Sequence, residues 1–149
     1  MIELNRADTF TILDRDAKPA SEPDRTLLGR GQFVGELVDT KCYTGVMRPA
    51  TGKVHRGCAI RCLSGGVPPG LLVRDARGDG VVFLLAGADG GPLRYDVQLA
   101  GTLIEVTGDL ELNGDTPVLR TTSIEPYRAG ARSIAPHFTT SKHSNHTTP

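Results

Sequence analysis

Three cysteines and one histidine fall within residues 42–62, and the chain has no other cysteine. Their order is Cys42, His55, Cys58, Cys62, a C-x12-H-x2-C-x3-C spacing. Three thiolates and one imidazole are a preferred donor set for zinc, which they normally enclose in a closed tetrahedron. The spacing is less specific than a pair of C-x2-C motifs, and its weight comes from the whole cysteine complement lying in one stretch. Thiolates also hold iron–sulfur clusters, so a [2Fe–2S] centre on the same four residues is an alternative to zinc. A haem-attachment C-x-x-C-H run is absent from the sequence. Two further readings stay open. The thiols could be a reactive redox pair, or Cys58, Ala59, Cys62 and Leu63 could be an ordinary core face, since free cysteine often packs as a small hydrophobe.

The charges around these residues bear on the thiols. From Glu36 to Cys62 there are five basic residues (Lys41, Arg48, Lys53, Arg56 and Arg61) and two acids (Glu36 and Asp39). Positive charge near a thiol favours the thiolate. Lys41, Arg56 and Arg61 are therefore expected to lower the thiol pKa values from just outside the ligand set. Asp39, three residues before Cys42, is expected to orient His55. Glu36 reads as a solvated surface residue, because i,i+3 positions on a strand face opposite ways.

A helix has to line these side chains up. "KVHRGCAIRCL" predicts one over residues 53–63, with Thr51 as its N-terminal cap. Gly65 and Gly66 suit its C-terminal cap, and Pro68-Pro69 blocks continuation. Gly57 weakens the helix by about 1 kcal/mol relative to alanine. At about 100° per residue, His55, Cys58 and Cys62 share an arc of roughly 60°. Cys42 is expected to reach that arc from the end of the preceding strand.

Strands account for most of the remaining chain. "TLLGRGQFVGELVD" alternates and carries glycine bends. "LLVRD" and "VVFLLA" flank "ARGDG" as a hairpin, "LRYDVQL" follows the turn "GADGGP", and "TLIEVTGDLEL" turns through "NGDT" into "PVLRTTSIEPY". Residues 1–25, with the short strand candidate "TFTILD", read as an extended arm, and 129–149 as a polar tail. The expected fold is mainly β: an OB-like barrel of five to six short strands over residues 26–128, with one short inserted helix. Glycines inside the long strands favour a closed barrel over a sandwich.

Composition limits the function classes. Eighteen glycines and ten prolines in 149 residues suit a turn-rich β domain. Seventeen basic residues balance seventeen acids, so no global basic field draws the chain to nucleic acid or anionic lipid. No apolar run approaches the roughly 20 residues of a membrane span. The first eight residues hold two acids and one arginine and resemble no secretion signal. An odd cysteine count forms no closed disulfide framework, which makes a reducing, cytoplasmic setting the default. An OB-like barrel raises single-stranded nucleic-acid binding as an alternative. Aromatics for stacking are scarce, however, and Phe33, Tyr43, Phe83 and Tyr95 are expected mostly in the core. The "GDG" and "GADGG" stretches read as turns, and His137, His143 and His146 as part of the tail.

The run "GELVDTKCYTGVM…GKVHRGCAIRCLSGGVPPGLLV" resembles a group of poorly characterised bacterial proteins with the pattern V-D-x-x-C-[YW], then H-x-x-C-A-x-x-C, then G-x-P-x-G-L. The matching residues are Val38, Asp39, Cys42 and Tyr43; His55, Cys58, Ala59 and Cys62; and Gly66, Pro68, Gly70 and Leu71. The resemblance implies a small β-barrel bearing a Cys/His motif, in a group some of whose members occur beside membrane or redox components. No base–nucleophile–oxyanion set stands out, which argues against an enzyme. The sequence therefore predicts a non-enzymatic accessory domain of a larger assembly, with Cys42, His55, Cys58 and Cys62 around structural zinc. The alternatives are a redox protein using the same residues and a single-strand binder. Association with a membrane would come through a partner.

Overall fold

Strand β1 (Arg25–Asp39) is long because its 15 residues serve two neighbours in turn. The computed structural model describes residues 24–45 and 47–129. Most of the expected arm, with "TFTILD", and the tail histidines His137, His143 and His146 lie outside the described residues. After β1 come two helices, α1 (Thr40–Thr44) and α2 (Gly52–Ser64), and then β2 (Pro69–Arg74), β3 (Gly80–Gly87), a 3-10 turn at Val97–Leu99, β4 (Leu103–Asn113) and β5 (Thr116–Pro126).

The five strands close into a ring in the order β1-β2-β3-β5-β4. Most of β1, from Arg25 to Glu36, pairs antiparallel with β4, and its last four residues, Glu36–Asp39, pair with β2. All neighbours are antiparallel except β3 and β5, which run parallel from Leu84↔Val118 to Gly87↔Thr121. The expected β2–β3 and β4–β5 hairpins both form. Among the described residues the strand number is five, and "LRYDVQL" carries the 3-10 turn and no strand. Two α-helices stand where one was expected.

Alternation places Leu37, Leu71, Leu85, Ile104, Val106 and Leu119 inside the ring, where each is buried. Ala59 and Leu63 of α2 join this core and Phe33, Phe83 and Tyr95 pack against it. Phe33 and Phe83 meet edge-to-face with ring centroids 5.5 Å apart. Strong curvature brings backbones together at two glycines. A Cβ on Gly35 would lie 2.5 Å from the Leu72 carbonyl oxygen, and one on Gly108 would lie 2.2 Å from that of Arg120. Gly108 also sits at a register shift between β4 and β5. The bends expected at these glycines are thus close backbone approaches that no larger residue tolerates. Among the described residues, no helix is long and apolar enough to cross a membrane.

Candidate metal centre

Both helices that carry the cysteines lie between β1 and β2, and β1 ends on the residue that organises them. The Oδ1 atom of Asp39 accepts a hydrogen bond from the Cys42 backbone N–H at 2.8 Å and caps α1. The Asp39 Oδ2 atom lies 3.0 Å from His55 Nε2. One fully buried carboxylate therefore holds both the turn that presents Cys42 and the imidazole on α2. Cys42 stands on a helical turn of its own and not on the strand end that its sequence position suggested. The spacing D-x-x-C carried that signal, since an Asp three residues before a backbone donor is an N-cap arrangement.

Helix α2 spans one residue more at each end than expected. Thr51 occupies the N-cap position but makes no side-chain cap, contrary to expectation. Glu36 supplies the acceptor instead, its carboxylate taking the Gly52 N–H. Glu36 is thus tied to a helix start, where negative charge is favoured, and is not a merely solvated side chain. At the other end Gly66 N–H donates to Leu63 O and Val67 N–H to Cys62 O, with Gly66 left-handed at φ 91°. That is the paired-bond stop the glycines predicted.

The three sulfurs converge. Cys42 Sγ lies 3.8 Å from Cys58 Sγ and 3.9 Å from Cys62 Sγ, and all three cysteines are free thiols. Ligands about 2.3 Å from a zinc ion stand about 3.8 Å apart at the corners of a tetrahedron. The observed spacing suits one ion and is far beyond a disulfide bond of about 2 Å. The three sulfurs form one group of mutually close donors, and His55 falls in a second with Asp39 and Cys42. Cys42 belongs to both. The four expected ligands therefore occupy two adjoining groups and not a single one. Cys42 and His55 are buried, and Cys58 and Cys62 are half-buried, at the margin between the core face of α2 and its outer face.

The electrostatics differ from expectation. Burial pushes the Cys42 thiol well above its usual range, with Asp39 and the two neighbouring thiols adding to the rise. Burial also raises the Cys62 thiol, and the Cys42 hydrogen bond only partly offsets this. For Asp39, burial acts upward, but the Cys42 N–H, the Cys42 thiol and His55 outweigh it and hold the carboxyl below the usual range. Burial, Asp39 and the neighbouring thiols, not the basic residues, are the leading influences on Cys42 and Cys62. Arg56 is turned to the Gln98 carbonyl oxygen at 2.7 Å, and Lys41 and Arg61 are exposed. Asp39, expected beside the ligands, is bonded to both His55 and Cys42.

No protein-family model, curated protein or solved structure matches the chain. The cluster of Cys42, Cys58, Cys62, His55 and Asp39 is one that could hold a metal ion.

Proposed function

We propose that this chain is a non-enzymatic accessory domain built on an OB-like barrel, and that its Cys/His cluster holds zinc. The observation that carries the reading is the convergence of three free sulfurs, with Cys42 at 3.8 and 3.9 Å from the other two and all three within 4.8 Å of one another. Cys42, Cys58 and Cys62 are the thiolate donors. His55, beside Cys42 and oriented by Asp39, is the nitrogen donor that would complete a Cys3His set. The ion would tie α1 to α2 and fix the insert on one side of the barrel. Support for the OB-like assignment comes from the closed five-strand order, with one parallel pair between β3 and β5.

A [2Fe–2S] cluster divides its ligands between two irons and spreads them, whereas a compact three-sulfur triangle favours a single ion. The nucleic-acid alternative needs aromatic faces on the surface, but Phe33, Phe83 and Tyr95 are packed against the core. The test is elemental analysis of anaerobically purified protein together with its visible spectrum. One equivalent of zinc and no colour are expected, and Cys62→Ala and His55→Ala should each lose metal and stability. Wild-type metal content and stability in both variants would show the ligand assignment to be wrong. Thiolate–iron absorption bands would favour the redox alternative.

A further inference from the structure

Charge is segregated between the insert and the barrel. Residues 40–68, between β1 and β2, hold five basic side chains (Lys41, Arg48, Lys53, Arg56 and Arg61) and no acid. The other described residues hold twelve acids against seven bases. The two acids nearest the insert point inward, Glu36 to the start of α2 and Asp39 to His55 and Cys42. No carboxylate of the insert's own therefore faces outward beside its cations.

The outer face of α2 joins this charge to the sulfur cluster. On the helix, Val54 and Arg61 lie about 40° and 60° from Cys58, on the side away from the core. Val54 is 85% exposed on this face. Lys53 and Arg61 are exposed and make no hydrogen bond or ion pair through their side chains among the described residues. Arg48 bonds the backbone carbonyls of Gly45 and Met47, and Arg56 that of Gln98, so both keep an uncompensated charge. The face thus presents cations without acidic partners around half-buried thiols and one exposed aliphatic side chain, a surface electrostatically suited to an acidic partner.

We propose that this face of α2, centred on Val54, Cys58 and Arg61, docks an acidic protein surface. The proposal rests on the reading of the chain as an accessory domain and names the chemistry of its partner. A second copy of this chain fits less well, although the barrel is rich in acids. Nine of the twelve acids are used locally, among them Asp109 by Arg30, Glu111 by Arg120, Asp75 and Asp79 by Arg77, Glu105 by Gln32, and Asp89 and Asp96 by backbone N–H groups. The three left exposed are divided between the two ends of β5, Asp24 and Asp115 by the β4–β5 turn and Glu125 at the far end. Nucleic acid also fits less well, because Phe33, Phe83 and Tyr95 are partly buried against the core and no aromatic stands on α2. Opposite charge would speed and orient docking, and added salt would weaken it.

The test uses the full chain loaded with zinc, with zinc content measured in every sample. Poly-L-glutamate is titrated while amide NMR shifts are followed, and a single-stranded oligothymidylate of equal charge is titrated in parallel. Shifts should centre on residues 53–61, and binding should weaken with salt. The double variant Lys53→Glu/Arg61→Glu should weaken it about tenfold or more, while Arg94→Glu on the barrel should leave it unchanged. Tighter binding of the oligonucleotide, shifts centred on the barrel, concentration-dependent self-association, or no binding would each overturn the proposal. A protein that takes up no zinc yet binds polyglutamate on α2 would defeat the metal reading and leave the docking face standing.

Discussion

Asp39 is the residue on which the site turns. Its carboxylate is fully buried and serves the Cys42 N–H through one oxygen and His55 through the other. Asp39→Asn keeps the shape but removes the charge, and should cost about 1–3 kcal/mol in a denaturant titration. The pH dependence has a definite sign. Because the folded pKa is lowered, the unfolded chain binds the proton first as pH falls. The stability from Asp39 is therefore complete above the ordinary carboxylate range and disappears as pH drops through the lowered value. Thermal midpoints between neutral and acid pH should fall for the wild type and change less for Asp39→Asn. Metal uptake has the opposite limit. Cys42 and Cys62 are pushed upward by burial, so an ion must displace protons from them. Zinc affinity should rise with pH, with proton release visible in calorimetry in buffers of different ionisation enthalpy. The candidate donors were legible in the sequence as a cluster, because the cysteines are few and lie in one stretch. The sign of the thiol shift was not. It depends on burial and on the proximity of Asp39, whereas a count of neighbouring charges treats every arginine as facing the sulfurs.

The elements were legible to different degrees for reasons of range. Alternation along β1 and the Asn-Gly turn between β4 and β5 are local signals, and both elements formed as read. Helix α2 was legible from its arc and its glycine stop, since both are set within a few residues. Its N-terminal acceptor was not, because Glu36 comes from a strand 16 residues earlier. Helix α1 was missed because five residues carry no periodicity, and "LRYDVQL" was over-read because its alternation was not backed by a pairing partner. Two glycines test this level in opposite directions. An added Cβ at Gly57 meets nothing within 4 Å on exposed helix, so Gly57→Ala should stabilise the protein by about 1 kcal/mol with unchanged metal content. Gly108→Ala would drive a methyl group into the Arg120 carbonyl and should destabilise the ring by about 1–3 kcal/mol.

At the scale of the whole molecule, the barrel core and the sulfur cluster are neighbours with separate supports. The main core cluster is formed by strand residues with Ala59, Leu63 and Ala100, and the three cysteines lie outside that cluster, although Cys42 is itself buried. Removing the ion with a chelator should loosen α1 and the 45–52 connection while the strands keep their protection. Hydrogen exchange would show fast amides in 40–52 and slow ones in β1, β4 and β5; collapse of protection throughout would mean that the ion holds up the entire fold. The ring itself was foreseeable as a class, from strand number and glycine-bent strands, but its closure through a parallel β3–β5 pair was not, because parallel partners are distant in sequence. The basic excess of the insert is legible in the sequence behind a net charge of zero, but which of its cations lack acidic partners depends on the fold. The most direct check on the account is X-ray absorption at the zinc edge of the loaded protein. It predicts three sulfur neighbours at about 2.3 Å, reduced to two in Cys58→Ser. A shell made of oxygen and nitrogen alone, or one unaltered by that substitution, would contradict it.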